Sequence, residues 1–355
     1  MNILIVKTSA IGDVTHTLPA LNCLRRAFPN ARIDWVVEEA AADLVVGHRA
    51  VDHVLISGRK RWLKELSQHP WRFFSVAREA IAFFRRLREV HYDLGIDFQG
   101  LLKSAVLVRL ARARRRIGFD KGMQHAESSH LFYNERVPPV DMEVHALDRG
   151  LLLLAAIGIP CDQVDYDLPI TQGHRARVKN LLAENNIDSD RPFVAIHPQT
   201  TWPTKHWDAR KFAELADTLT SEGLPVVFTG GPTDRTAVME ITSLMKGAAV
   251  NLAGVTRLPE LAAIFELARV TVATDTGPMH IAVAAGSRVV ALFGPTAPWR
   301  TGPHGEGHRV IRAESTCSPC FQRKCDSLVC MRGITVSEVV SAVAALVVPV
   351  SSRRP

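Results

Sequence analysis

NILIVKTSAIGDVTHTLPALNCLRRAF, residues 2–28, passes from one kind of secondary structure to another across a single loop. ILIV is an unbroken apolar run, the pattern of a strand covered on both faces. Leu18, Leu21, Leu24 and Phe28 then recur at helical spacing. A buried strand feeding directly into an amphipathic helix begins a βαβ unit. The alternation continues with strand-like RIDWVVEE (32–39) and DHVLISG (52–58), a helical pattern from Arg72 to Val90, and strand-like LGIDFQ (94–99). In that helix Phe73, Ala77, Ile81 and Phe84 fall on one side and arginines on the other. The expected fold is α/β, a doubly wound parallel sheet with helices on both faces.

Residues 169–192 are polar and carry one helical segment, ARVKNLLAENN, and the alternation then restarts. FVAIHP, PVVFTGG, VNLAG, VTVATD and RVVALFG read as strands. Helices are expected from Ala209, from Asp234, over LPELAAIFELA and from Pro278. The domain expectation is therefore 1–170, 171–335, and a C-terminal helix and tail over 336–355, with the helix at Val336–Val347. A chain of 355 residues suits two domains of roughly 150–180 residues each. The longest apolar stretches, Leu151–Pro160 and Val339–Val350, fall short of the roughly 18 residues a membrane span needs. An apolar run of only four residues stands before Lys7, with no cleavage-like site, which gives no signal-peptide pattern and an expected cytoplasmic location.

The net charge of +7 is unevenly placed. Residues 59–121 carry 16 Lys and Arg against 6 Asp and Glu, while the rest of 1–170 carries 7 against 14. Solvated helix faces account for single runs, but the swing within one domain points to an anionic partner: phosphorylated lipid, nucleotide or nucleic acid. Cys23 and Cys161 read as separate packed or free thiols. Cys317, Cys320, Cys325 and Cys330 form C-x2-C-x4-C-x4-C, in a cytoplasmic protein more often a metal site than a disulfide framework.

Ligands of doubly wound sheets bind beyond the carboxyl ends of the strands, so three loops carry candidate chemistry. KTSAIGDVTHTLP (7–19) has one glycine, Gly12, where a dinucleotide fingerprint needs three. Its Asp13 is placed either to cap the helix or to act as a general base. HPQTTWPTKHW (197–207) offers Thr200, Thr201, Thr204 and Lys205 to a phosphate, or Lys205 is simply an exposed lysine. TDTGPMH (274–280) combines a strand end, a glycine turn and a helix start, a natural anion site. Its Asp275 is positioned to reach a ribose or a loop amide.

VKTSAIGDVTHTLPAL (6–21), IDWVVEE (33–39), KRWLK (60–64), DFQGLLKSA (97–105), LFYN (131–134), TKHW (204–207) and TDTGPMHIA (274–282) together resemble the heptosyltransferases of glycosyltransferase family 9. The resemblance spans nearly the whole chain. It implies a GT-B architecture, two Rossmann-like domains facing a cleft, with the acceptor on the first and the nucleotide sugar on the second. It further implies inverting transfer of L-glycero-D-manno-heptose from ADP-heptose to Kdo of Kdo-lipid A, with no cofactor required for catalysis. Asp13 matches the family's base, Lys205 its contact to the donor's phosphates, and Asp275, Thr276, Gly277 and His280 its nucleotide loop; Thr200, Thr201 and Pro278 beside them complete the expected donor site. Lys60, Arg61 and Lys64 match basic positions for acceptor phosphates, and Ser9, Gly12, Gln99 and Lys103 are expected to bind the acceptor with them. Peripheral contact with the inner leaflet of the inner membrane is expected, and no nucleic-acid partner. CSPCFQRKCDSLVC departs from the enterobacterial members and resembles a C-terminal segment found elsewhere in the family. It reads as a structural zinc loop held by Cys317, Cys320, Cys325 and Cys330, or as four reduced cysteines. A later-acting heptosyltransferase or another family 9 sugar transferase, and a zinc-containing nucleic-acid-binding protein, are the competing readings. Against the second, the cysteines lack paired C-x2-C spacing and no aromatic-interleaved basic sheet is visible.

Overall fold

A computed structural model describes residues 1–123 and 127–347. They divide into two compact units, Met1–Pro169 and one beginning at Ile170. The first unit contains β1 (Asn2–Val6), α1 (Ile11–Ala27), β2 (Arg32–Glu38), β3 (His53–Ser57), α2 (Arg59–Gln68), α3 (Phe73–Arg88), β4 (Leu94–Asp97), α4 (Leu102–Leu110), β5 (Arg115–Phe119), β6 (Glu135–Val137) and α5 (Ala146–Ala155). The second contains α6 (Gln172–Glu184), β7 (Val194–His197), α7 (Ala209–Ser221), β8 (Val226–Phe228), α8 (Arg235–Ser243), β9 (Val250–Asn251), α9 (Leu258–Leu267), β10 (Val270–Thr274), α10 (Gly277–Ala284), β11 (Arg288–Leu292), α11 (Pro298–Thr301), β12 (Arg309–Ile311), α12 (Val329–Arg332) and α13 (Val336–Val347).

Each unit is built on a six-stranded parallel sheet, ordered β3-β2-β1-β4-β5-β6 and β12-β11-β10-β7-β8-β9. Counted from its own first strand, each sheet has the order 3-2-1-4-5-6 of a Rossmann fold. The order therefore reverses between β1 and β4 in one unit and between β7 and β10 in the other. Central strands are apolar on both faces: Ile3, Leu4, Ile5 and Val6 are all inaccessible to solvent, as are Val194, Ala195 and Ile196. Helix α13 closes the second core, where Val339, Val343 and Leu346 join Trp207, Phe212 and Phe228. The tail beyond Val347 lies outside the described residues. Among the described residues no helix is long and apolar enough to cross a membrane.

Two expectations need correction. Cys23 and Cys161 are paired as a disulfide, with Cα atoms 5.8 Å apart. Helix α1 and the segment after α5 meet across 138 residues of sequence, a separation that no local pattern bridges. Helix α3 buries Val76, Phe83 and Leu87, whereas Phe73 and Ile81, on its expected inner side, are exposed.

Candidate active site

In the first unit the loops after β1 and β4 lie side by side and are tied together by a chain of polar contacts. Asp97, the last residue of β4, is fully buried. It accepts hydrogen bonds from the backbone N–H groups of Gln99 (2.9 Å) and Gly100 (3.0 Å), the Ser104 hydroxyl (2.8 Å) and the Tyr133 hydroxyl (2.7 Å). Burial is the largest influence on Asp97 and pushes its pKa up against the pull of those donors. Tyr133 reaches Asp97 because its ring lies over Gly118 of β5; a Cβ there would come within 2.3 Å of the ring. The loop so fixed presents Gln99, whose side-chain oxygen accepts from the N–H groups of Thr8 (3.2 Å) and Ser9 (3.1 Å). Lys7 donates to the Phe98 carbonyl (3.0 Å), and Lys103 to the Ser9 hydroxyl (3.1 Å).

Asp13 sits in the first turn of α1, not at its cap. Ala10 holds the cap position, and its N–H donates to Asp13 Oδ2 at 3.0 Å. The side chain thus uses one oxygen to satisfy a backbone donor of the helix start. Its other oxygen is 3.9 Å from Lys7 Nζ, and the side chain remains 45% exposed. It lines a cavity of about 230 Å³ together with Lys7, His16, Thr17, Gln99 and Arg149. The accessible carboxylate oxygen can receive a proton, and Lys7 and Arg149 in the same lining can attract an anionic group. Gly12 is buried within the same turn.

The basic positions gather around a residue that the sequence reading left out. Glu38 ends β2 and is buried, yet Arg59 (2.9 Å), Lys60 (3.1 Å) and Lys103 (3.8 Å) all approach it. Burial works to raise its pKa, but these cations outweigh it and hold the carboxyl below its usual value. Arg61 is turned elsewhere, bonded to Glu39 (2.9 Å) and Glu79 (2.8 Å). Lys64 is exposed on α2, a helix that buries no side chain.

In the second unit the equivalent loops carry a buried ion pair. Lys205 Nζ lies 2.6 Å from Asp275 Oδ2, and their side chains are 13% and 6% exposed. The Thr296 hydroxyl donates to the same carboxylate oxygen at 2.6 Å, and Thr200 to the Asp275 carbonyl at 3.3 Å. Asp275 therefore engages Lys205 and Thr296 rather than a loop amide. Thr276 caps α10 by its backbone position, Gly277 and Pro278 form the first turn, and His280 is buried one turn along. Thr201 is exposed. Trp202 is flanked by two cations, Lys205 at 4.4 Å and Arg323 at 4.5 Å from its ring centre.

Arg323 belongs to the cysteine segment, which is pinned to this loop system. The Gln322 carbonyl accepts from Thr204 (2.8 Å), and the Pro295 carbonyl accepts from the N–H groups of Cys320 (3.0 Å) and Phe321 (2.8 Å). The cysteines themselves do not form a closed metal site. A tetrahedral four-thiolate zinc requires sulfurs about 3.8 Å apart, and among the described residues no three of the four bring theirs within 4.8 Å of one another. Cys317 meets Ser315, Cys325 faces Ser327 and the Leu328 N–H, and Cys330 is buried near Gly294. Cys325 is the outlier: its own turn lowers its pKa, through Ser327 and Leu328, at an exposed position. As arranged, Cys317, Cys320, Cys325 and Cys330 thus do not fit the zinc loop expected of them, and no step is derived through a metal.

The model of glycosyltransferase family 9 (heptosyltransferase) matches residues 80–330. Lipopolysaccharide heptosyltransferase 1 of Pseudomonas aeruginosa is 36% identical over 334 residues, covering 92% of this chain and 87% of that protein. Among solved structures, E. coli heptosyltransferase WaaC with ADP aligns at a TM-score of 0.78 and 29% identity, over 98% of this chain and 100% of that one. WaaC with ADP-2-deoxy-2-fluoro heptose aligns at 0.76 and 29%, over 97% and 99%.

Proposed function

The chain belongs to glycosyltransferase family 9, and on that premise we propose that it transfers L-glycero-D-manno-heptose from ADP-heptose to Kdo of Kdo-lipid A, with inversion. The observation that carries the reading is the difference between the two switch-point loop pairs. One presents a carboxylate to a cavity, and the other a lysine held beside a helix start. Asp13 takes the proton of the acceptor hydroxyl as its oxygen bonds to the anomeric carbon. The bond from that carbon to the diphosphate breaks, and ADP departs with the electron pair. Lys205 and the first turn of α10 meet the charge that develops on ADP, a preorganised electrostatic role. Lys60, Lys103 and the exposed Lys64 supply positive charge for the acceptor's phosphates. We place the enzyme in the cytoplasm, peripheral to the inner membrane, in keeping with a nucleotide-sugar donor and a lipid-linked acceptor.

The test is ADP release from ADP-heptose with two acceptors, one ending in Kdo and one already bearing heptose. Turnover with the first and little with the second is expected. Preference for the heptose-bearing acceptor would assign the chain to a later step of core assembly. No ADP release with either would remove the reading.

A further inference from the structure

The outward face of α3 differs from that of an ordinary surface helix. Its buried side is Val76, Phe83 and Leu87. The spacing 74, 78, 81, 85, 88 keeps Phe74, Arg78, Ile81, Arg85 and Arg88 on one opposite stripe. All five are exposed, Phe74 at 84% and Ile81 at 52%. The turn leading into the helix adds Trp71, 75% exposed, and the first residue of the helix is Phe73, 57% exposed. Single exposed apolar residues are ordinary, but three large aromatics within four positions form a patch. Among the described residues, no carboxylate lies within ion-pair distance of Arg78 or Arg85.

We propose that this face docks on an anionic lipid bilayer. Trp71, Phe73, Phe74 and Ile81 enter the interfacial zone, and Arg78 and Arg85 meet headgroup phosphates, as in interfacial amphipathic helices. Charge selects this occupant. A symmetric contact with a second copy of the chain would bring the arginine stripe against itself, in a segment carrying 16 basic and 6 acidic residues. A nucleic acid would use the arginines and aromatics but not Ile81, and a convex helix offers no groove to follow a strand. Docking itself does not depend on the transferase reading; its value, holding the enzyme where a lipid-borne acceptor lies, rests on it.

The experiment is flotation of the full chain with phosphatidylcholine vesicles, with and without phosphatidylglycerol, at two salt concentrations. Binding should favour the anionic vesicles by about tenfold or more and weaken with salt. Trp71→Ser with Phe74→Ser should lower partitioning by about tenfold at unchanged melting temperature. Arg78→Gln with Arg85→Gln should abolish most of the preference for anionic vesicles, since each basic residue near such a surface contributes about fivefold. Both variants should keep normal turnover on a lipid-free acceptor sugar and lose it on a vesicle-borne one. Equal binding to neutral and anionic vesicles, variants that float like the parent, or dimerisation that the aromatic variant abolishes would overturn the proposal. Displacement by nucleic acid at moderate salt would overturn it too. Vesicle binding as expected, without ADP release on any acceptor, would instead sink the transferase reading and leave docking intact.

Discussion

The two units share a sheet order and load its switch point in opposite ways. In the first, Asp13 is half exposed, bonded to one backbone N–H and 3.9 Å from its nearest cation. In the second, Asp275 is buried, 2.6 Å from Lys205 and 2.6 Å from Thr296. An identical strand order thus places an accessible carboxylate in one unit and pairs another with a buried lysine in the other. The fold determines where the loops stand; exposure and partners determine what their carboxylates do.

The largest effect should come from the exposed member. Asp13→Asn keeps an oxygen for the Ala10 N–H but cannot take up the acceptor's proton, so turnover should fall by about 10² to 10⁴. The variant gives up only a half-exposed charge in the first turn of α1, worth about 0.3–1 kcal/mol, so the melting temperature should fall by no more than about a few degrees. A folded variant with near-normal turnover would make Asp13 a structural residue and level the contrast.

Lys205→Ala should do the reverse. It strands a buried carboxylate, which costs about 3–5 kcal/mol where one partner of a buried pair is removed. Chemical denaturation that follows the second unit should register this, together with weaker donor binding. If stability is unchanged, Asp275 is relieved in some other way and the pair is not what holds the loop.

A smaller effect concerns His197 at the end of β7, fully buried with Nδ1 3.0 Å from the Thr229 hydroxyl. Burial pushes its pKa down to about 4 from 6.5. The unfolded chain therefore binds a proton below pH 6.5 that the folded one refuses until about pH 4. Stability should fall as pH drops through that window, by up to about 3 kcal/mol. His197→Asn should flatten this part of the profile in denaturant titrations; an unchanged slope would assign it to other groups.

The least disruptive change should be Lys64→Ala, which removes an exposed charge and leaves Glu38 with Arg59 and Lys60. Stability should stay within about 0.5 kcal/mol, and the acceptor KM should rise a few-fold with donor affinity unchanged. An equal rise for both substrates would argue against acceptor steering.

Much of the sheet was legible because its central strands are buried on both faces and read as continuous apolar runs. Strands β5, β6 and β12 were not. RRIGF of β5 opens on arginines, Arg115 reaching Glu135 of β6 through two contacts of 2.8 Å, and β6 and β12 have three residues each. Helix α2 has no fully buried residue, and only Trp62 packs partly against the core, so no apolar period marks it. Of the candidate site, strand-end position was enough to single out Asp13, Lys205 and Asp275, while their roles came from family motifs. The Lys205–Asp275 contact joins residues 70 apart and carries no local signal. Glu38, Asp97, Tyr133 and Thr296 went unassigned for a similar reason. Their importance lies in burial and partners, although Asp97 and Tyr133 stand inside the DFQGLLKSA and LFYN motifs.

The division of labour between the units is tested most directly by titration calorimetry of ADP into Asp13→Asn and Lys205→Ala, at a temperature where both are folded. The account predicts an unchanged ADP affinity for Asp13→Asn and a loss of about tenfold or more for Lys205→Ala, the worth of a charge-assisted contact. Equal losses in the two variants, or a loss confined to Asp13→Asn, would contradict it.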